Sequence, residues 1–279
     1  MDWLTSYKIP VGRWAKDGVD WLQRHGGAAF DVISDSLRAV IDAILFVLQA
    51  PSPLVVIAII VAVAYLLRRS LVFAALIAAG LLFIVNQGYW EATTETLALV
   101  VSSAIICMAV GIPVGIASAH RPRLYAGLRP ILDLMQTLPS FVYLIPAIVF
   151  FGIGMVPGLI ATAIFVVPAP IRLTHLGIST TPRHLIEAAE AFGATPRQLL
   201  WKVELPFAAP QIMAGLTQTI MLSLSMVVIA ALVGADGLGV PVVRALNSVN
   251  IGMGFEAGLV IVLVAIILDR LLRAGEKAE

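Results

Sequence analysis

Long uncharged apolar runs separated by short polar breaks make up most of the chain. Leu97 to Ala119, for example, contains no Asp, Glu, Lys or Arg. A hydrocarbon core about 30 Å thick is crossed by about 20 consecutive apolar residues in a helix. Windows of that character fall at roughly 53–67, 71–86, 97–119, 131–152, 158–178, 211–233 and 256–272, which predicts about seven membrane-crossing helices. Residues 31–50 read differently. Asp35, Arg38, Asp42 and Gln49 form one helical stripe, and Ile33, Leu37, Val40, Ile41, Ile44 and Leu48 the opposite one. That two-faced pattern predicts an amphipathic helix lying along the membrane interface. The expected architecture is an all-α polytopic bundle: a tail over 1–52 carrying the interfacial helix, then a transmembrane domain over 53–279.

The loops alternate in charge. One set carries Arg68 and Arg69; Arg121, Arg123 and Arg129; Arg183, Arg197 and Lys202; and Arg270, Arg273 and Lys277. The other set has no basic residue in 86–96 or 152–157 and only Arg244 in 234–255. Basic residues concentrate in short cytoplasmic loops. The C-terminus is therefore expected in the cytoplasm and, with an odd number of spans, the N-terminus outside. That placement leaves Lys8, Arg13, Lys16 and Arg24 external. Were residues 31–50 to cross instead, the count would be even and the N-terminus internal.

Composition agrees and excludes other classes. The chain is 60% hydrophobic and 13% charged, against about 45–50% and about 25% in soluble domains; its mean hydropathy is +0.98. A net charge of +1 provides no basic field for nucleic acid. Cys107 has no partner for an intrachain disulfide, and His25, His120, His175 and His184 lack metal-ligand spacing. The polar stretches Met1–Gly27 and Ser179–Gln211 are too short for a catalytic domain, and no Gly-x-x-x-x-Gly-Lys-Ser/Thr loop is present to cradle ATP. No catalytic residue, metal site or resident cofactor is expected.

Several windows contain helix breakers: Gly111-Ile112-Pro113, Pro139 with Pro146, and Pro168 with Pro170. Proline removes a backbone donor and kinks the axis. The window at 131–152 also carries the polar run Gln136-Thr137-Leu138-Pro139-Ser140. Broken helices with polar groups at depth suit a solute pathway.

The polar segment 179–210 has its own local chemistry. Thr181 with Pro182 reads as a helix start, and Gly193 as a left-handed stop. Thr195, Pro196 and Gln198 read as a second start with a capping box. Two short helices meeting at a glycine elbow are predicted. Leu185, Ile186, Ala189 and Phe192 face one way on the first, and Leu199, Leu200 and Val203 on the second. A partly apolar bracket outside the membrane suggests docking onto a partner protein.

Glu187-Ala188-Ala189, then Gly193, then Val203-x-Leu205-Pro206 resembles the EAA loop of ABC importer permeases. The resemblance extends over most of the chain from about residue 30. It includes Gly88–Ala92, Ile131–Pro139, Phe141–Pro146, Met221–Ala231 and Gly234–Gly239, which are similar to the ProU- and Opu-type permeases for quaternary-ammonium osmolytes. The opening Trp3–Pro10 and the segment Val242–Asn247 lean toward the choline branch. The resemblance implies a MetI-like type I importer fold in the bacterial inner membrane. It also implies two ATPase subunits that carry ATP and Mg, a second permease copy, and an external solute-binding protein. Glu187, Ala188, Ala189, Gly193, Leu205 and Pro206 would form the ATPase contact.

For the pathway, Met135, Gln136, Ser140, Phe141 and Tyr143 in the fourth window and Ser223 and Ser225 in the sixth are the expected gate or lining residues, because a quaternary ammonium is attracted by aromatic faces. Asp133 and Arg172 fall near the cytoplasmic ends of their windows. They either pair at an inner gate, or Arg172 snorkels to the interface. Two rival classes leave features unexplained. An ion-driven secondary transporter calls for mid-span coupling carboxylates and repeated halves, and an inert scaffold needs no broken helices.

Overall fold

The computed structural model describes residues 10–274, and every regular element among them is helical. The elements are α1 Val11–Gln49, α2 Pro53–Arg68, α3 Leu71–Asn86, α4 Trp90–Ala119, α5 Pro122–Thr137, α6 Phe141–Phe151, α7 Met155–Val166, α8 Pro168–Ser179 and α9 Arg183–Ala191. They continue with α10 Pro196–Leu199, a π-turn Leu200–Glu204, α11 Leu205–Ala231, α12 Gly239–Ser248 and α13 Ile251–Ala274. Trp3–Ile9, including Lys8, and Lys277 lie outside the described residues, so the choline-leaning opening stretch is not placed.

Four helical stretches have the length and apolarity to cross a bilayer: Trp90–Ala119, Met155–Ser179, Pro196–Ala231 and Ile251–Arg273. The count rises to 6 if each of two bent pairs is one span, and Leu71–Asn86 is a shorter apolar helix. All seven expected windows thus fall on apolar helices, but not as seven straight crossings. α2 and α3 have 16 residues each, about 24 Å of helix, short of the hydrocarbon thickness. The window at 131–152 is a corner: α5 and α6 meet at 96°. The cause is local. Leu138 precedes Pro139, whose ring disfavours the helical conformation in its neighbour, and Leu138 is extended at φ −63°, ψ 136°.

The centre of the bundle is α4, α8 and α11, which pack on one another most extensively. Glycine makes this possible. A Cβ on Gly111 would lie 2.8 Å from Pro170, and one on Gly115 would lie 2.9 Å from the Ile171 carbonyl oxygen. Gly177 of α8 meets Ala208 of α11 in the same way. Small residues four apart let membrane helices approach backbone to backbone. The expectation that Gly111-Ile112-Pro113 breaks its helix is therefore corrected: α4 runs unbroken through Pro113 for 30 residues, and the glycines serve contact. Likewise Pro168 and Pro170 leave only a one-residue interruption, at Val167, between α7 and α8.

α1 is far longer than the stretch expected at 31–50. It continues through Gly26-Gly27 and ends where the chain turns by 95° into α2. Its inner stripe packs Leu37, Ile41 and Ile44 against Ala98, Phe151 and Leu159. Ile33, assigned to that stripe, is exposed. Asp35, Arg38 and Asp42 face outward as expected, while the Gln49 amide reaches back to donate to Thr94 Oγ1 at 2.9 Å. Phe46, Leu66, Leu71 and Leu76 are all more than two-thirds exposed, the surface of a body whose solvent is lipid.

Candidate functional site

The bracket over 179–210 forms as two helical pieces. Its first start is one residue later than expected: Pro182 occupies the cap position of α9 without a side-chain bond. Thr181 is instead buried, with no partner for Oγ1 among the described residues. Gly193 takes φ +80°, the left-handed conformation that an L side chain resists. The Ala194 amide then returns to the Ala189 carbonyl at 3.0 Å, closing α9. Thr195 and Gln198 form the capping box: the Thr195 amide donates to Gln198 Oε1 at 2.9 Å, and the Gln198 amide donates to Thr195 Oγ1 at 3.4 Å.

α9 contains no buried residue. Glu187 and Ala188 are exposed, Ala189 is half-buried, and Phe192 at the elbow is 94% exposed. The second predicted short helix is not separate. α10, the π-turn and α11 make one continuous rod of 36 residues, about 54 Å long. Leu205 and Pro206 lie in the first turn of α11. Pro206 has no N–H to offer, and just before it the ladder widens, the Leu205 amide bonding to the Leu200 carbonyl five residues back.

The residues that tie this bracket to the bundle were not picked out in the sequence. Glu204, in the π-turn, is the only charged residue in the buried set among the described residues. Its carboxylate oxygens lie 2.9 and 3.1 Å from Nε2 of His120, the residue that closes α4. The other ring nitrogen, Nδ1, is 3.0 Å from the Ile116 carbonyl. Both ring nitrogens therefore face oxygen atoms, one on the carboxylate and one on the backbone. Beside it, Ser118 donates to the Gly115 carbonyl at 2.8 Å, which leaves its oxygen to accept from His175 Nδ1 at 3.1 Å. The His175 ring stacks on Tyr125 at 3.6 Å. The available clue was a lone Glu on the apolar side of an amphipathic stretch. Its partner, 84 residues earlier in the chain, has no local signature.

The expected pathway residues gather at the α5–α6 corner. Met135, Gln136 and Ser140 are half-buried there, and Phe141 is 57% exposed. Tyr143 is buried, and its hydroxyl donates to the Met135 carbonyl at 2.9 Å, clamping α6 to the last turn of α5. Arg172 Nη2 donates to Asp133 Oδ1 at 2.6 Å, joining α8 to α5. Ser223 and Ser225 do not share a face. Ser223 is fully buried; its hydroxyl donates to the Thr219 carbonyl at 2.8 Å and lies 3.1 Å from the Ser103 hydroxyl of α4, from which it accepts, so it joins helices and borders no open space. Ser225 is exposed. Ile229, one turn further along α11, packs with the cluster that holds Leu138 and Tyr143. At the far end of the rod the Gly234–Gly239 loop folds onto α4, where Thr96 Oγ1 accepts from the Leu238 amide at 2.8 Å. Gly237, at φ +121°, fits there because a Cβ would collide with that hydroxyl.

The fold is a multi-pass helical membrane body with an exposed bracket at the head of a central rod. The comparisons specify the kind. Residues 111–278 match the family described as "Binding-protein-dependent transport system inner membrane component". The glycine betaine/carnitine transport permease protein GbuB of Listeria monocytogenes is 45% identical over 272 residues, 96% of each chain. The glycine betaine transport system permease protein OpuAB of Bacillus subtilis is 47% identical over 265 residues, covering 95% of this chain and 93% of that one. A solved inward-facing MetNI methionine ABC transporter overlays with a TM-score of 0.57 at 28% identity, covering 65% of this chain and 93% of its counterpart. The chain belongs to the family of binding-protein-dependent transport system inner membrane components. It is a MetI-like permease subunit of an ABC importer, a multi-pass inner-membrane protein that leaves ATP hydrolysis to separate subunits.

Proposed function

We propose that this chain is the membrane-spanning subunit of an importer for a betaine-type quaternary-ammonium solute. Two copies would pair with two ATPase subunits holding ATP and Mg and receive cargo from an external solute-binding protein. Relatives named for glycine betaine at 45–47% identity over nearly the full chain favour a betaine over choline. The C-terminus and the α9 bracket face the cytoplasm and the N-terminus lies outside, in keeping with the loop charges. α1 braces the bundle at the interface through Leu37, Ile41 and Ile44.

The observation that carries this reading is the bracket. α9 presents Glu187, Ala188 and the Phe192–Gly193 elbow exposed, with Ala189 half-buried beside them. The same bracket is fixed to the core by the 36-residue rod and by the Glu204–His120 pair. ATP-driven closure of the ATPase pair then acts on α9 as on a handle, swinging α11 and α4 in a rigid-body transition. The α5–α6 corner, with Phe141 exposed and the Asp133–Arg172 pair alongside, forms the gate region. Its site is loose, and tight recognition belongs to the binding protein.

The test is uptake of labelled glycine betaine, choline and proline into proteoliposomes holding the whole complex and its binding protein. ATP-dependent betaine uptake is expected, and it is lost in Glu187→Arg and Gly193→Asp although both variants insert and purify normally. Unchanged uptake in either variant rejects the handle, and uptake driven by an ion gradient without ATP rejects the class of mechanism.

A further inference from the structure

We propose that the groove between α3 and α13 is a binding site for an anionic phospholipid, its phosphate held at the arginine-flanked mouth and an acyl chain lying along the apolar walls. The groove has a volume of about 640 Å³. Leu76, Ile77 and Gly80 line it from α3, and Leu263, Ile266 and Ile267 from α13. Its mouth is a different chemistry: Arg68, Ser70 and Arg270. The floor closes where Gly80 lets Ile267 come against the α3 backbone.

Two features put positive potential at that mouth, a pair of arginines and a helix N-terminus. Arg68 and Arg270 are both exposed, and among the described residues neither has a carboxylate within ion-pair distance; the nearby Asp269 is already engaged by Arg273 at 2.8 Å. The Arg68 guanidinium is parked over the Phe73 ring, 5.1 Å from its centroid, which holds it beside the groove. Ser70 caps the start of α3 by accepting from the Phe73 amide, so the amides of Leu71 and Val72 point out of the helix N-terminus, where phosphate is favoured. In the orientation proposed above, on which this step rests, this end lies in the cytoplasmic leaflet, where basic pockets between membrane helices take anionic headgroups. The surrounding surface is apolar, with Leu71 76% and Val72 72% exposed, which favours a lipid over a water-borne anion as the occupant. A second groove, between α1, α4 and α13, has no charged residue on its walls and offers a headgroup nothing.

The experiment uses the assembled importer in nanodiscs of mixed phosphatidylglycerol and phosphatidylcholine, followed by delipidation and native mass spectrometry of retained lipid. Wild type is expected to retain phosphatidylglycerol preferentially. In Arg68→Gln/Arg270→Gln that preference falls by about tenfold or more, as the loss of two near-surface cations dictates, whereas Arg68→Lys/Arg270→Lys keeps most of it. Ile266→Trp, which fills the groove and leaves both arginines in place, also loses the retained lipid. Equal retention by wild type and the double Gln variant overturns the proposal. So does retention undiminished in Ile266→Trp, or displacement of the lipid by soluble glycerophosphate as readily as by phosphatidylglycerol, because either result reduces the site to a bare anion contact.

Discussion

Replacing His120 by Ala removes the partner that Glu204 has among the described residues; the Glu204 side chain is 7% exposed. Breaking a buried ion pair from one side costs about 3–5 kcal/mol because the remaining charge is stranded. Here the imidazole is 45% exposed, so water enters the space it leaves and solvates part of the carboxylate. The expected loss is about 1–3 kcal/mol, the range for an unsatisfied buried polar group. Glu204→Gln removes the charge but keeps an amide oxygen able to accept from Nε2, and costs less, about 1 kcal/mol. In the double variant nothing charged is stranded, so unfolding free energies in detergent micelles should show a coupling of at least about 1 kcal/mol. The functional reading is separate from the energetic one. If the pair carries the bracket's motion into α4, His120→Ala lowers solute imported per ATP hydrolysed while the partner subunits continue to hydrolyse ATP. Additivity of the two substitutions within about 0.5 kcal/mol, or an unchanged transport-to-hydrolysis ratio in His120→Ala, would refute this account.

Gly115→Ala should destabilise by about 1–3 kcal/mol through overpacking, since its Cβ would sit 2.5 Å from Thr174 Cβ and 2.9 Å from the Ile171 carbonyl oxygen; thermal unfolding reads this. Gly127→Ala on α5, with nothing within 4 Å, is the control and should gain about 0.5–1 kcal/mol from reduced backbone freedom. The Asp133–Arg172 pair is half in solvent, with side chains 52% and 35% exposed, so Asp133→Asn should change stability by no more than about 1 kcal/mol. Its effect should appear in the rate of uptake instead, and an unaltered rate would remove the pair from the gate.

What was legible in the sequence is what is local in the chain. The Thr195–Gln198 capping box and the left-handed Gly193 follow from side chains within three residues of one another, and both form. The apolar windows marked the helices because burial in lipid is a bulk property of a stretch. The failures have the opposite character. Gly111 reads as a breaker until Pro170 is known to face it. Ser223 and Ser225, two apart, sit about 200° apart on a helix, so a common polar face was excluded by periodicity alone. Pro139 did announce an extended residue before it, but the apolar run on either side suggested one continuous crossing where the chain turns a corner. His120 and Glu204 find each other only through the packing of α4 on α11.

The π-turn at Leu200–Glu204 brings these threads to one place. A five-residue repeat inside an α-helix is uncommon and concentrates where function demands it. It lies at the joint between the exposed bracket and the membrane rod, immediately ahead of Pro206, which cannot supply the donor a regular ladder would use. Holding one extra residue in a turn rotates everything before it relative to everything after. Glu204 at its last position is thereby directed into the bundle toward His120, while Trp201 at its second remains 63% exposed beside the bracket. An ordinary helix from Pro196 onward would set a different rotation between Trp201 and the buried face of α11. The widened turn therefore lets one rod satisfy two orientations, an outer one for docking and an inner one for the bundle. The Glu204–His120 pair then ties that joint to the end of α4.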